Sequence, residues 1–371
     1  MSFKTLCLSL LFTAGGASAA GVDIEKLADG VYAAIRKEPP GLTVNANSVF
    51  IINDDDVIVV DATLTPASAR EALAELRKLT PKPVRYVVNT HWHDDHISGN
   101  KVYRDAFPGV EFIAHTRTRD YLPTTGLANR KAALGPDGYP AFIGALKSRL
   151  QKDVSVFGGP MDAEERATYA SDIGIAESFV REPTEVVLPT ITLDEHLTLY
   201  RGARTIDIRF LGRGHSSGDI VVHLPREGIV VAGDLVMAPV PYVGSPQSHP
   251  REWSATLDKL LALKPAIVVP GHGPVLRDDV YIRQMAALFA DIDRQVRAAI
   301  ARGESAEQVA KSVKLDDAEK AFAGSSRMRK LVFRNYVLGP AVDAAFLDTQ
   351  YTSGSHLTFG HFAREMSKCQ M

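Results

Sequence analysis

One stretch decides the interpretation of this 371-residue chain, and it reads Asn89-Thr90-His91-Trp92-His93-Asp94-Asp95-His96. It follows the apolar run 86–88 and contains three imidazoles and two carboxylates. Since side chains alternate along extended backbone, we expect His91 and His93 to project the same way, and the turn beyond them can aim Asp95 and His96 at a neighbouring point. Two metal sites can therefore arise from one loop. Imidazole nitrogen and carboxylate oxygen suit Zn²⁺, and also Fe or Mn.

Three further candidate ligands, His215, Asp234 and His272, share one sequence context. Each lies just beyond an apolar run typical of a β-strand, and glycine flanks all three; the runs are 208–211, 229–232 and 266–269. If these strands are neighbours in one sheet, their ends meet at a common edge, where ligands bind in α/β architectures. Glycines at 214, 233, 271 and 273 permit the close backbone approach that such a cluster needs.

The order of the predicted elements indicates an α/β fold. Strands are predicted at 31–35, 48–52, 57–60, 84–88 and 111–114, with helices opening at Thr65-Pro66 and near 101–106. This β-α-β-α-β progression favours an α/β sheet over an all-β sandwich or a helical bundle. A second half repeats the pattern, with strands predicted at 185–188, 197–200, 205–211, 220–224, 229–232 and 266–269 and a helix near 252–263.

The first twenty residues have the composition of a cleaved signal peptide. Lys4 precedes an apolar run at 6–14, and small residues follow, ending in Ala17-Ser18-Ala19-Ala20. The run is too short to span a bilayer, and no later stretch reaches the length that a membrane helix requires. We therefore expect a periplasmic or secreted protein without a membrane span.

Two helical regions flank the second half of the predicted sheet. The pattern at about 116–185 becomes helical, including 142–150 and 163–180, and predicts an insertion. Beyond Pro274, apolar residues keep a 3.6-residue period. The predicted organisation is a signal peptide at 1–20, a domain at 21–275 that contains the insertion, and a C-terminal helical extension at 276–371.

Taken together, the motifs resemble those of the metallo-β-lactamase-fold hydrolase superfamily. In order they are THWHDDH at 90–96, GRGHSSGD at 212–219, AGDLV at 232–236 and PGHG at 270–273. The resemblance covers roughly residues 30–275. It implies an α/β fold, a four-layer αββα metallo-β-lactamase-like sandwich, here with a helical insertion and a C-terminal helical extension, and with metals at the common edge of the two sheets.

The resemblance also implies a ligand set, matched position by position. His91, His93 and His215 would hold the first of two divalent metal ions; the second would be held by Asp95, His96 and His272, with Asp234 bridging them. Zn²⁺ is the expected ion, with Fe and Mn as alternatives. Such a pair lowers the pKa of a bound water and supplies hydroxide as the nucleophile. Asp95 is the expected catalytic residue, because it would orient the hydroxide and relay a proton to the leaving group.

The residue at 234 bears on the substrate. The best-known β-lactamase branch has cysteine there and another branch has serine, whereas aspartate looks more like glyoxalase II, lactonases and other hydrolases. We therefore expect hydrolysis of an ester, thioester, lactone or amide bond. The alternatives are a β-lactamase proper and a mononuclear-iron enzyme similar to persulfide dioxygenases. A non-catalytic protein with a structural metal site fits less well, because closed structural sites are usually cysteine-rich and the only cysteines are Cys7 and Cys369.

Charge and composition restrict the partners. The 42 Lys and Arg against 44 Asp and Glu leave a net charge of −2, without the basic field that a nucleic-acid binder needs. The expected partner is a small-molecule substrate, and the oligomeric state stays open.

Other polar residues carry weaker predictions. Asp61 is either a hydrogen-bond partner of a ligand histidine or a turn aspartate. We interpret Trp92 as a packing residue rather than one that stacks on substrate. Tyr242 lies on a loop that either borders the substrate pocket or, as we favour, is an ordinary surface loop. The basic run 327–330 with Arg334 is either a site for an anionic substrate or, as we favour, a solvated helix face. The remaining histidines are interpreted as ordinary ones; they are His115, His196, His223, His249, His356 and His361.

Overall fold

A computed structural model describes residues 21–243 and 248–352 of the chain. The predicted signal peptide lies outside the described residues, as do His356, His361 and both cysteines. The described part folds around two β-sheets, one of seven strands and one of five.

The first sheet has its strands in sequence order. Neighbours are antiparallel from β1 to β4 and parallel from β4 to β7. The strands are β1 (Val22–Ala28), β2 (Val31–Arg36), β3 (Ser48–Ile52), β4 (Val57–Val60), β5 (Val84–Val88), β6 (Glu111–His115) and β7 (Ile191–Leu193).

The second sheet has the order β12-β11-β10-β9-β8. All of its pairs are antiparallel except β11 with β12. Its strands are β8 (His196–Arg201), β9 (Arg204–Phe210), β10 (Ile220–Leu224), β11 (Ile229–Met237) and β12 (Ile267–His272).

The fold has four layers, in the order helices, first sheet, second sheet and helices. Three hydrophobic clusters fill the spaces between these layers. The middle cluster joins the two sheets, for example Ile58 and Val88 with Ile208 and Val231. A second covers the other face of the first sheet with helix α1 (Pro66–Leu79), which begins at the N-cap Thr65 and buries its apolar stripe. The remaining helices of this half are α2 (Asp94–Ile97) and α3 (Asn100–Ala106).

The third cluster covers the outer face of the second sheet. It combines α8 (Pro250–Ala262) with α9 (Val280–Ala301), whose Trp253 and Phe289 rings stack with centroids 4.2 Å apart. The other C-terminal helices add to the same cluster; they are α10 (Ala306–Ser312), α11 (Asp316–Ala323), α12 (Arg327–Phe333), a π turn (Arg334–Leu338) and α13 (Gly339–Thr352). The predicted αββα sandwich and its C-terminal helices are thereby confirmed.

The helical insertion lies between β6 and β7. It consists of α4 (Thr116–Tyr121), a π turn (Leu122–Gly126), α5 (Leu127–Leu134), α6 (Tyr139–Lys152) and α7 (Ala163–Arg181). Asp162 caps α7 by accepting a hydrogen bond from the Glu165 amide at 2.8 Å.

Two strand predictions differ from the structure. The strand predicted at 185–188 is wrong, because β6 is paired instead by Ile191–Leu193, and 185–188 has no regular secondary structure. The strand β1 was not predicted, since its sequence VDIEKLA mixes charged and apolar residues without strict alternation. Within the described residues, no helix combines the length and hydropathy needed to cross a bilayer.

Candidate metal centre

The histidine-rich loop is fixed between β5 and α2. Asn89 and Asn100 are fully buried and exchange side-chain amide hydrogen bonds of 2.8 and 3.1 Å. The backbone N–H of Asn89 also donates a hydrogen bond to the Ile113 carbonyl of β6 at 2.9 Å. His93 then precedes α2, so that the turn into this helix separates the first two histidines from the acidic pair beyond them.

The other three predicted ligands arrive from the second sheet. His215 lies between β9 and β10, Asp234 lies inside β11, and His272 ends β12. Asp234 is thus within its strand, which is longer than predicted. Glycine is required at 271, because a Cβ there would lie 1.9 Å from Asp234 Oδ1. The parallel pairing of β11 and β12 can bring their ligands to one edge only with this close approach.

Four side chains form what we call the first donor group: His91, His93, His215 and Asp234. His93 Nδ1 lies 3.0 Å from His91 Nε2 and 2.8 Å from His215 Nε2. Asp234 Oδ2 lies 3.3 Å from His215 Nε2 and 3.8 Å from His91 Nε2.

The second donor group contains Asp95, His96, His272 and the same Asp234. The other oxygen of Asp234, Oδ1, lies 3.2 Å from His96 Nε2 and 3.5 Å from His272 Nε2. Asp95 Oδ2 completes the group, 3.0 Å from His272 Nε2 and 3.4 Å from His96 Nε2. All seven predicted ligands are therefore brought together, and Asp234 faces one group with each oxygen.

The donor atoms fit divalent cations. In each group they lie within 4.8 Å of one another. Three of them, His96 Nε2, His272 Nε2 and Asp234 Oδ1, are buried and make no hydrogen bond of acceptable geometry with the described residues. Buried polar atoms are rarely left in this state, since each costs about 1–3 kcal/mol. Nitrogen and carboxylate donors aimed at a common point are the ligand types of Zn²⁺ and related ions.

The electrostatics of the two groups differ. Burial, reinforced by the neighbouring His215, lowers the pKa of His93 to about 3. Burial also lowers the pKa of His91, again with help from nearby histidines. In the second group burial acts in the same direction on His272, but the Asp234 carboxylate outweighs it and raises the pKa of His272 to about 10. The first group thus presents neutral imidazoles, the form that binds metals.

Two backbone-anchored contacts orient the ligand rings. Asp61 accepts hydrogen bonds at 2.8 Å from the Thr90 amide and the Thr90 hydroxyl, and its Oδ2 also lies 2.8 Å from His96 Nδ1. His215 Nδ1 lies 2.9 Å from the Tyr242 carbonyl oxygen. In both rings Nδ1 contacts an oxygen atom outside the donor groups, so Nε2 faces the other donor atoms. Of the two alternatives for Asp61, the structure supports the histidine partner.

A cavity of about 680 Å³ opens beside the second donor group, with His272 and Tyr242 in its wall. Of the two interpretations of Tyr242, the favoured ordinary surface loop is wrong, and the structure supports the one that borders a pocket. Its ring stacks on Tyr336 with centroids 4.8 Å apart, and its hydroxyl donates to the Gly41 carbonyl at 2.9 Å. The long-range partners that fix Tyr242 are not visible in the sequence near it.

Sequence reasoning also missed Arg130 of the insertion. This residue is 3% exposed and pairs through Nε and Nη2 with Asp94, inside the histidine-rich loop. Its Nη1 donates to the Thr184 carbonyl at 2.8 Å. The insertion is therefore tied directly to the loop that supplies four of the donors. No local pattern around Arg130 signals this contact.

The histidines that we interpreted as ordinary lie outside both donor groups where the structure describes them. His115 accepts a hydrogen bond from the Arg117 amide at 2.9 Å, and His196 lies 3.3 Å from Asp207. His249 Nε2 lies 2.7 Å from the Ser217 hydroxyl. Trp92 is 3% exposed and packs with Tyr121, in agreement with a packing role.

Comparisons with known proteins agree with this geometry. The chain is 30% identical over 234 residues to a linear primary-alkylsulfatase from a Pseudomonas species, a match that covers 59% of this chain and 40% of that protein. It therefore matches less than half of the alkylsulfatase. It is 27% identical over 247 residues to a probable metallo-hydrolase of Bacillus subtilis, covering 63% of this chain and 69% of that protein.

The fold and the family are consistent with each other. A metallo-β-lactamase from Pontibacter korlensis superposes with a TM-score of 0.51 at 18% identity, covering 72% of this chain and 98% of that one, which supports the fold. A family model described as the metallo-beta-lactamase superfamily matches residues 42–272, a range that contains both donor groups. The chain belongs to the metallo-β-lactamase superfamily.

Proposed function

We propose that this protein is a dinuclear metal-dependent hydrolase that cleaves an ester, thioester, lactone or amide bond. One observation carries the proposal: the two oxygens of Asp234 face two separate sets of donors, with His215 Nε2 at 3.3 Å on one side and His96 Nε2 at 3.2 Å on the other. A carboxylate in this position is suited to bridge two cations.

The ligand assignment follows the two donor groups. In the proposal, the first ion is held by His91, His93 and His215, the second by Asp95, His96 and His272, and both by Asp234. Zn²⁺ is the proposed ion, since three neutral imidazoles are typical zinc ligands, with Fe and Mn as alternatives. Bound ions would supply Lewis acidity and lower the pKa of a water molecule enough for it to act as nucleophile near neutral pH.

Asp95 is the proposed catalytic residue among the donors. Its side chain retains 20% exposure, whereas the Asp234 carboxylate retains 2%. Burial would raise the pKa of the Asp95 carboxyl, but the imidazoles of His96 and His272 outweigh it and hold the pKa well below its usual range. Asp95 is therefore an ionised acceptor that can orient the attacking water and take its proton.

A sulfate ester is a second candidate substrate. The similarity to the linear primary-alkylsulfatase, at 30% identity over 234 residues, favours it. The cavity beside His272 also favours a substrate with an apolar portion, because more than half of its lining residues are apolar.

Metal analysis joined to a substrate panel tests the proposal. Protein purified from its own host is expected to contain about two metal ions per chain by mass spectrometry of the elements. It should hydrolyse at least one compound in a panel of 4-nitrophenyl esters, a lactone, a thioester, an alkyl sulfate and a β-lactam. Removing the metal with a chelator should abolish that activity, and adding Zn²⁺ back should restore it.

Two results would overturn the proposal. Activity that is unchanged after complete metal removal would show that the donor groups are not the reaction centre. One iron per chain together with thiol-dependent oxygen uptake would instead identify the persulfide dioxygenase-like alternative.

We also propose that the protein is secreted or periplasmic. The support is the composition of residues 1–20 given above. Expression of the full chain in a Gram-negative host should give a mature protein that begins near residue 21 by N-terminal sequencing. A protein that retains Met1 would contradict secretion without affecting the proposed chemistry.

A further inference from the structure

Charged residues line the cavity beside His272, and all but one of them have a hydrogen-bond or ion-pair partner among the described residues. On one side of its wall, Lys37 pairs with Asp23, and Glu25 pairs with Arg277 at 2.5 Å. These charges already have partners. Each pair carries no net charge, so its attraction for an incoming ion is small.

The deeper charges also have partners, although Arg36 Nε itself makes no hydrogen bond. Arg36 pairs with Glu71 and also donates to the Ser68 carbonyl at 2.7 Å. Glu38 accepts hydrogen bonds from the backbone amide and side-chain amide of Asn45, at 2.9 and 2.8 Å.

Arg329 is the exception among the charged residues that line this cavity in the described part of the chain. It is half-buried on α12, and its Nε is buried without a hydrogen-bond partner. Among the described residues its guanidinium forms neither a hydrogen bond nor an ion pair. Arg329 is nevertheless firmly placed, because its neighbours Met328 and Val332 are fully buried.

The neighbours of Arg329 on the same run behave differently. Arg327 lies over the Phe157 ring and pairs with Asp162 at 3.8 Å, and Arg334 pairs with Glu319 at 2.7 Å. These two agree with the solvated helix face predicted from the sequence. For Arg329 that prediction is wrong, because it lines the cavity that also contains His272.

We propose that Arg329 binds an anionic oxygen group of the substrate, so that the preferred substrates are organic anions with an apolar segment between the anion and the bond that is cleaved. A planar guanidinium matches a carboxylate or a sulfate with two parallel hydrogen bonds. A half-buried cation without a partner carries a desolvation cost, and hydrogen-bonded pairing with an anion offsets part of it. The apolar segment would lie against cavity residues such as Val44, Met237 and Val240.

This inference rests on the proposed hydrolase function, since it places the reacting bond at the donor groups. It goes further, because it assigns substrate selectivity to a residue of the C-terminal extension.

The experiment compares two esters of equal length on the metal-loaded protein. One is the mono-4-nitrophenyl ester of suberic acid, which retains a free carboxylate, and the other is its neutral methyl ester. The variant Arg329→Met should lower kcat/KM for the anionic ester by about tenfold or more, the factor that corresponds to about 1.4 kcal/mol. It should leave the neutral ester within about twofold, which also reports correct folding.

Two further variants control this comparison. Arg329→Lys should recover part of the preference, since lysine keeps the charge but lacks the planar fork. Arg327→Met removes a charge two residues away that does not line the cavity, and it should leave the preference unchanged. Equal ratios of anionic to neutral kcat/KM in the wild type and Arg329→Met would overturn the proposal.

A binding measurement separates this proposal from the proposed function. Octanoate, neutral 1-octanol and octane-1-sulfonate, which stands in for a sulfate, are titrated into the wild type and Arg329→Met by calorimetry; none of them contains a bond that the proposed hydrolase would cleave. Tighter binding of either anion to the wild type, lost about tenfold in the variant, supports the proposal, and the stronger of the two identifies carboxylate or sulfate. Equal affinity in both proteins overturns it. If no compound of the substrate panel is hydrolysed, the proposed function fails, while this binding measurement still decides the role of Arg329.

Discussion

The two donor groups share Asp234 but differ in composition. The first adds three imidazoles to one carboxylate oxygen, whereas the second adds two imidazoles and the Asp95 carboxylate. A nitrogen-rich set favours Zn²⁺, while an oxygen-richer set accepts a wider range of divalent ions. The two proposed sites can therefore differ in the ion that they prefer and in their affinity for it. Because the groups are joined by one side chain, they can be disturbed together or separately.

The largest expected effect comes from the shared residue. Asp234→Asn keeps the size of the side chain but removes the charge that faces both groups, so both ions should be weakened. Since the loss of a mere supporting partner costs about 10- to 100-fold in metal affinity or activity, we expect turnover to fall by more than about a hundredfold. Elemental analysis and kinetics on the same preparation measure both quantities.

A matched substitution controls for this variant. Asp207→Asn changes an aspartate of β9 that pairs with Arg209 at 2.8 Å and belongs to neither donor group. It should retain the wild-type metal content. If Asp234→Asn also retains the wild-type metal content and turnover, Asp234 is not a bridging ligand. The two donor groups would then not share a residue.

Single-group variants should separate the two sites. His93→Ala removes a donor from the first group only, and His272→Ala removes one from the second. Each should lower the metal content by about one ion per chain, and turnover should fall by about a hundredfold because both ions take part in the proposed reaction. Metal titration of the two variants with Zn²⁺ and Mn²⁺ would show whether the remaining sites differ in preference.

His223→Ala is the control for the histidine variants. His223 is 8% exposed on β10 and belongs to neither donor group. Its loss should alter stability without altering the metal content. Identical metal preferences in His93→Ala and His272→Ala would contradict the expectation that the two donor groups prefer different ions.

A smaller effect is expected from the residue that supports the second group. Asp61 has a φ of 60°, a conformation that asparagine tolerates, so Asp61→Asn should keep the backbone. The substitution weakens the contact with His96 Nδ1, so the affinity of the second donor group for its ion should fall by about 10- to 100-fold. Competition with a chromophoric chelator measures this affinity. Asp153→Asn, at a φ of 53° in the insertion, is the matched control, and an equal loss there would point to a backbone effect.

The donor groups could be predicted because their signals are local. His91, His93, Asp95 and His96 lie within one turn-forming stretch, and the other donors occur in a repeated context of strand and glycine. The requirement for glycine at 271 has a direct physical cause in the approach of Asp234. The strand positions followed from apolar runs with two exceptions: β1, whose sequence mixes charged and apolar residues, and 185–188, where the edge strand formed a few residues later.

The residues around the donor groups could not be predicted in this way. Tyr242, Arg130 and Arg329 acquire their roles from where the insertion and the C-terminal helices pack. Arg329 differs from Arg327 only in which face of α12 it occupies, and that depends on the partner surfaces rather than on the basic run itself. Long-range packing of this kind leaves no periodic signal at the residue concerned.

The smallest expected effect on turnover concerns a buried carboxyl outside the donor groups. Asp172 of α7 is fully buried, and it accepts hydrogen bonds from the Leu42 and Thr43 amides at 3.1 and 3.0 Å. Burial raises the pKa of this carboxyl from 3.8 to about 7. The imidazoles around Asp95 and Asp234 reverse the same effect of burial there. Asp172 therefore shows what burial does to a carboxyl that has no cationic neighbour of this kind.

The sign of the pH dependence follows from this difference. Between about pH 4 and pH 7 the unfolded chain releases the Asp172 proton while the folded chain keeps it, so the contribution of Asp172 to stability is complete below pH 4 and is lost as the pH rises toward 7. The slope from this one group is at most about 1.4 kcal/mol per pH unit. Urea unfolding from pH 4 to pH 8 should show that Asp172→Asn removes this part of the slope and leaves turnover at pH 8 unchanged. An identical slope in both proteins would mean that Asp172 is ionised in the folded state, and that burial is offset there as it is in the donor groups.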